Sequence, residues 1–120
     1  MFAIIKLMPR EAEDNMVIFD LDVVKQQIFG AEKVALAANA NKTIFLRFHF
    51  DGSWRILDSR AAIFRTADNK FYIIEAKHCS VQVPWEVLTF DNDVELSVVG
   101  FDGSTVLTTG KVTLPVTSSL

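Results

Sequence analysis

A single cysteine, Cys79, is the whole thiol complement of the 120-residue chain. No disulfide can close within it, and no second cysteine is present to build a metal-ligand spacing. Stability must come from packing. Clustered positive charge is also missing: twelve Lys and Arg face fifteen Asp and Glu, and none gather into a patch, so the counterion release that drives nucleic-acid binding has little to act on. No nucleic acid is expected as a partner. The uninterrupted apolar runs are only a few residues long, far below the roughly 20 residues that cross a bilayer as a helix. The opening MFAIIKLMPRE has neither a signal-peptide h-region nor a small-residue cleavage site. Synthesis in the cytoplasm without membrane insertion is the expectation.

Catalytic constellations are equally sparse. There is no glycine-rich phosphate loop, nucleophile elbow or usable Ser/His/Asp spacing. The two histidines, His49 and His78, lack further ligands at recognised metal spacing, and His49 reads as a solvent-facing or hydrogen-bonded strand residue. His78 and Cys79 are neighbours, but adjacent residues of a strand point to opposite faces, which places the imidazole poorly to take the thiol proton. Cys79 is therefore expected to pack as a small hydrophobe. Asp20 with Asp22, and Asp91 with Asp93, are carboxylate pairs too small in oxygen count for a calcium site. No enzyme activity, metal or cofactor is expected.

What the chain has in abundance is apolar residues: half of the sequence, with ten Phe. That exceeds the need of a small monomer's interior and points to buried subunit contacts. The apolar residues alternate. Val17, Phe19, Leu21 and Val23 lie on one face of a strand, and Ile44, Leu46, Phe48 and Phe50 on one face of another that ends at Asp51-Gly52. Arg60 to Thr66 and Phe71 to Lys77 flank the polar loop Ala67-Asp68-Asn69-Lys70 as a hairpin. Ser80 to Val83 leads to Pro84, which suits a strand end. Val94 to Gly100 precedes the Asp102-Gly103 turn, and Val106 to Thr109 and Lys111 to Val116 follow it, with Gly110 as a bulge. Phe2 to Met8 reads as a further strand, and Lys33 to Leu36 as a short strand within an irregular connection. Strands at this spacing predict an all-β, antiparallel, immunoglobulin-like sandwich of seven to nine strands in one domain, with an N-terminal arm over residues 1–10 and a C-terminal tail over 115–120.

Several of these segments share a pattern. Trp54 and Leu57, Ala62 and Phe64, Cys79 to the corner Pro84-Trp85-Glu86-Val87-Leu88, Val94 to Gly100, and the Thr108-Thr109 pair together resemble a family of short structural proteins from tailed phages and prophages of Gram-positive bacteria. The chain is distantly similar to the N-terminal module of their upper baseplate proteins. The resemblance covers about the C-terminal two thirds, and the PWEVL corner is its most specific part. It implies a non-enzymatic virion component, at the tail tip, baseplate or head surface, whose partners are other particle proteins and further copies of itself. The chain stops at Leu120, which leaves no room for a fibre or receptor-binding domain and points to an adaptor or decoration module.

Within that picture Trp54, Phe64, Cys79, Pro84, Trp85 and Leu88 are expected to form the core and its corners, the two Trp rings closing opposite ends. Expected contact points are Phe2, Ile4, Ile5, Leu7 and Met8, as a first strand or an exchanged arm, Asp68, Asn69 and Lys70 at the hairpin tip, and Val116 and Leu120 in the tail. The competing expectation is a carbohydrate-binding module for a host surface glycan, read by an exposed aromatic ring.

Overall fold

Alternation decides the fold, because a strand that shows apolar residues at every second position can bury only one face. In the computed structural model, which describes residues 16–38, 43–89 and 92–118, Ile44, Leu46 and Phe48 point inward from a strand while Arg47 and His49 point outward. Eleven strands are present among the described residues: β1 (Met16–Val24), β2 (Gln27–Phe29), β3 (Leu36–Ala38), β4 (Thr43–Phe50), β5 (Ser59–Arg65), β6 (Phe71–Glu75), β7 (Ser80–Gln82), β8 (Val94–Asp102), β9 (Thr105–Thr108), β10 (Val112–Leu114) and β11 (Val116–Ser118). No α-helix occurs among those residues. The predicted all-β class holds. The expected strand over Phe2 to Met8 lies outside the described residues.

The strands form three sheets. One has the order β2-β1-β4-β7, a second has β10-β8-β5-β6 with β9 also pairing β8, and β11 pairs β3. The second sheet is antiparallel throughout. Parallel pairing enters at β1 against β4, with Leu21 opposite Phe48, and at β11 against β3, with Val116 opposite Leu36. Both parallel pairs join segments distant in sequence, as parallel strands must.

The inner faces of the two larger sheets feed one apolar cluster. Leu21, Val23, Leu46 and Phe48 come from the first, and Ala62, Phe64, Leu96 and Val98 from the second. Trp54 belongs to the same cluster at 1 % exposure. It sits on a 3-10 turn, Gly52–Ile56, which starts at the expected Asp51-Gly52 turn pair. Its ring stacks on Phe50 at 5.9 Å between centroids, and the Arg60 guanidinium covers the Phe50 ring at 4.6 Å. The Arg60 Nη1 also donates to the Trp54 carbonyl at 2.7 Å. An aromatic, a cation and a backbone acceptor thus fix this end of the core.

Three local expectations are corrected. The connection after Gly30 forms a 3-10 turn at Ala31–Lys33, and its strand begins only at Leu36. Leu36 is placed by its N–H donating to the Pro115 carbonyl at 3.3 Å. His78 and Cys79 are not strand residues: they are the two central positions of a tight turn, with φ of 53° and 65°. Lys77 and Ser80 exchange two backbone hydrogen bonds of 3.0 Å across it, the geometry of a type I′ hairpin turn. A turn residue lies at the margin of the sheet, so Cys79 is half-buried and no part of the core. Trp85 is also misplaced by the sequence reading. It stands 70 % exposed, because the 3-10 turn Trp85–Leu88 buries only one side and Val87 and Leu88 occupy that side.

Candidate interaction surfaces

With the core filled from both sheets, recognition falls to loops and outer faces. The Ala67–Lys70 hairpin tip is held stiffly. Asn69 adopts φ 70°, a conformation Asn tolerates better than most residues. Its N–H donates to the Thr66 carbonyl at 2.9 Å, and Arg65 Nε donates to its Oδ1 at 2.8 Å. The Thr66 hydroxyl donates to Asp68 Oδ1. That hydrogen bond, helped by the charge of Lys70, holds the Asp68 carboxyl below its usual range. Asp68, Asn69 and Lys70 therefore form one preorganised polar tip.

The tail behaves differently. Val116 is only 2 % exposed and lies in the β3–β11 pair, so its side chain belongs to the interior and offers no contact to a partner. Leu120 lies outside the described residues, as do Phe2, Ile4, Ile5, Leu7 and Met8. Phe64 and Leu88 are buried, at 0 % and 7 %, and Pro84 caps the turn that presents Trp85 to solvent.

The outer faces of the two larger sheets both mix polar and exposed apolar residues, in different arrangements. On the first, Asp20 and Arg47 sit opposite each other in the β1–β4 register. Arg47 Nε donates to Asp20 Oδ1 at 2.6 Å and Nη2 to Oδ2 at 3.2 Å, while His49 Nε2 lies 2.9 Å from Oδ1. Hydrogen bonds from Arg47 first and His49 second hold the Asp20 carboxyl at about 2. Asp20 is thereby engaged by Arg47 and His49 of its own sheet, and no group of three or more His, Cys, Asp or Glu converges on a metal site among the described residues. On the second sheet four large apolar residues, Phe71, Ile73, Phe101 and Val106, are exposed on the outer face between polar flanks. This surface escaped the sequence reading. Its signal was β6 itself, FYIIE, apolar at both parities.

Concavities lie among the described residues, two of them beside the turns already named. A cleft of about 430 Å³ opens between the β1–β2 turn and the Trp54 turn, lined by Lys25, Gln26, Asp51, Ser53, Trp54 and Leu107. A second, of about 290 Å³, lies between Arg65, Thr66, Asp93 and Glu95.

No family model matches the chain, and no curated protein matches its sequence. Among solved structures it is similar to the N-terminal domain of phage TP901-1 ORF48, with 12 % identity and a TM-score of 0.51, over 86 % of this chain and 98 % of that one. At this identity the likeness is one of fold.

Proposed function

We propose that the protein is a non-enzymatic structural module of a tailed-phage particle, assembling with copies of itself and docking onto other particle proteins as an adaptor or decoration. The observation that carries this reading is the fold shared with nearly the whole of a phage protein's N-terminal domain. A fold alone does not determine function. The reading gains support from the exposed apolar residues on the outer sheet face, which suit subunit contacts. Its place is the virion, at tail tip, baseplate or head surface. Mass spectrometry of purified particles, with copy number calibrated against the capsid and tail-tube proteins, tests it. A fixed stoichiometry is expected. Absence from intact particles would sink the reading.

A specific observation supports a second reading, a carbohydrate-binding module: Trp85 is exposed beside Pro84 on a rigid turn, as a sugar-stacking platform must be. Saturable binding of host cell-wall polysaccharide, lost in Trp85→Ala with the melting temperature unchanged, is its expected signature. Trp54 cannot serve this purpose, since its ring is buried.

A further inference from the structure

We infer that the apolar outer face of the β10-β8-β5-β6 sheet, with β9, is a twofold self-association surface that a second copy of this chain covers. The inference deepens the self-assembly within the structural reading above and rests on it.

The register builds the patch. Ile63 lies opposite Ile73, Ala61 opposite Val99, and Phe101 opposite Val106. These pairs share one face, so a stripe of apolar residues crosses the sheet diagonally from Phe71 on β6 to Val106 on β9, exposed at Phe71 and Ile73 and again at Phe101 and Val106, and buried between them at Ala61 and Val99. An antiparallel sheet with one face in water alternates apolar-in with polar-out. The centre of the other sheet has Asp20, Asp22, Arg47 and His49 outside, with exposed Met16, Ile18 and Phe29 toward its margins. β6 departs from the alternation: Tyr72 and Ile74 pack on the core while Phe71 and Ile73 stand 60 % and 66 % exposed.

Size and charge identify the occupant. With Phe101 at 44 % and Val106 at 55 % exposure, the stripe offers on the order of 400 Å² of accessible apolar surface. A standard-size interface takes about 800 Å² from each partner, a little over half of it apolar, so the stripe with its polar flanks has the area one stable dimer needs. One flank holds Arg65, ion-paired with Glu95 at 2.8 Å and bonded to Asn69, together with Lys111 at 4.0 Å from Glu95, two cations to one carboxylate. Exposed Glu75 lies on the other. A twofold axis running along the stripe lays the Arg65 flank of each copy over the Glu75 flank of the other. An isologous contact demands this self-complementarity.

Sedimentation velocity of the full chain over a wide concentration range tests the inference. A monomer–dimer equilibrium is expected. Ile73→Asp should raise the dimer dissociation constant by about 30-fold or more with no change in melting of the monomer, since the side chain is mostly exposed. Arg65→Glu and Glu75→Arg should each weaken the dimer, and the double variant should restore it. A monomer at every concentration would overturn the inference and leave the face to a different partner or to the chain's own residues 2–8. A dimer unaffected by Ile73→Asp, or no recovery in the double charge swap, would overturn it as well. Particle composition is measured separately, so a protein present in virions yet monomeric refutes this surface alone and leaves the structural role standing.

Discussion

The indole N–H of Trp54 donates to the main-chain carbonyl of Lys25 at 2.5 Å, across 29 residues of sequence. It ties the Trp54 turn to the β1–β2 turn, where Lys25 holds φ 54°. The Gly110 N–H donates to the neighbouring Gln26 carbonyl at 2.9 Å, so two distant segments fix both acceptors of one two-residue turn. Trp54→Phe keeps most of the packing but strands the Lys25 carbonyl, and should cost about 1–3 kcal/mol in urea denaturation. Fluorescence gives an independent check. Trp85→Phe leaves the buried ring and should emit in the blue, resistant to iodide, whereas Trp54→Phe leaves the exposed ring and should emit in the red and quench readily. Reversed spectra would refute the assignment of the two rings.

Gly100 and Gly103 are glycines for different reasons. A Cβ on Gly100 would press on Leu57 Cδ1 and lie 3.0 Å from Trp54 Cζ3, whereas a Cβ on Gly103 meets nothing within 4 Å but must adopt φ +57°. Gly100→Ala therefore overpacks the core beneath Trp54, with an expected loss of about 1–3 kcal/mol. Gly103→Ala pays only backbone strain, about 1 kcal/mol. The two are separated by near-ultraviolet circular dichroism: the Trp54 signal should change in Gly100→Ala and stay constant in Gly103→Ala.

The His78-Cys79 turn holds two β-carbon-bearing residues in left-handed conformation, each at a cost of about 1–2 kcal/mol relative to a residue that tolerates it. Asn-Gly is the pair such turns prefer. The double variant His78→Asn, Cys79→Gly should raise stability by about 1–2 kcal/mol, measured as a higher denaturant midpoint at unchanged slope. It should not disturb the Phe48 N–H, which donates to the residue-79 carbonyl at 2.7 Å. A neutral or destabilised variant would show that the Cys79 side chain contributes packing that the turn geometry does not reveal.

The strands that proved easiest to read have either clean alternation or a partner near in sequence. β4 meets the first condition although its partners β1 and β7 are distant, and the β5–β6 hairpin meets the second, its short polar loop from Thr66 to Lys70 fixing the register. β3 and β11 satisfy neither: three residues each, they pair across the chain, and only tertiary context selects them. The corner Pro84-Trp85-Glu86-Val87-Leu88 shows why a motif can mislead. Its apolar residues follow no strand period, so nothing in their order tells which turn inward, and packing chose Val87 and Leu88 over the larger Trp85. Cys79 was hidden by turn chemistry, because His-Cys carries none of the Asn or Gly signal of a type I′ turn. The outer apolar face was legible in part, since Phe71 and Ile73 interleave with Tyr72 and Ile74, but its continuation to Phe101 and Val106 needed the register.

Asp20 makes stability depend on acid in a defined window. Its carboxyl falls from 3.8 to about 2 in the folded chain, chiefly because Arg47 donates to it and secondarily because His49 does. A carboxyl whose pKa is depressed by folding stabilises the native state above its unfolded value, and that contribution is lost as pH falls through the folded value. The window therefore runs from about pH 4 down to about pH 2. The group lies on the solvent side of the sheet, so the effect should be small and should shrink as salt screens the ion pair. The carboxyl ¹³C resonance of Asp20 should titrate with a midpoint near 2 at low ionic strength and move toward the ordinary value in Arg47→Gln. Asp20→Asn should remove part of the acid sensitivity of unfolding in that window. A midpoint near 4 in the native protein would mean that the Arg47 pairing does not persist in solution.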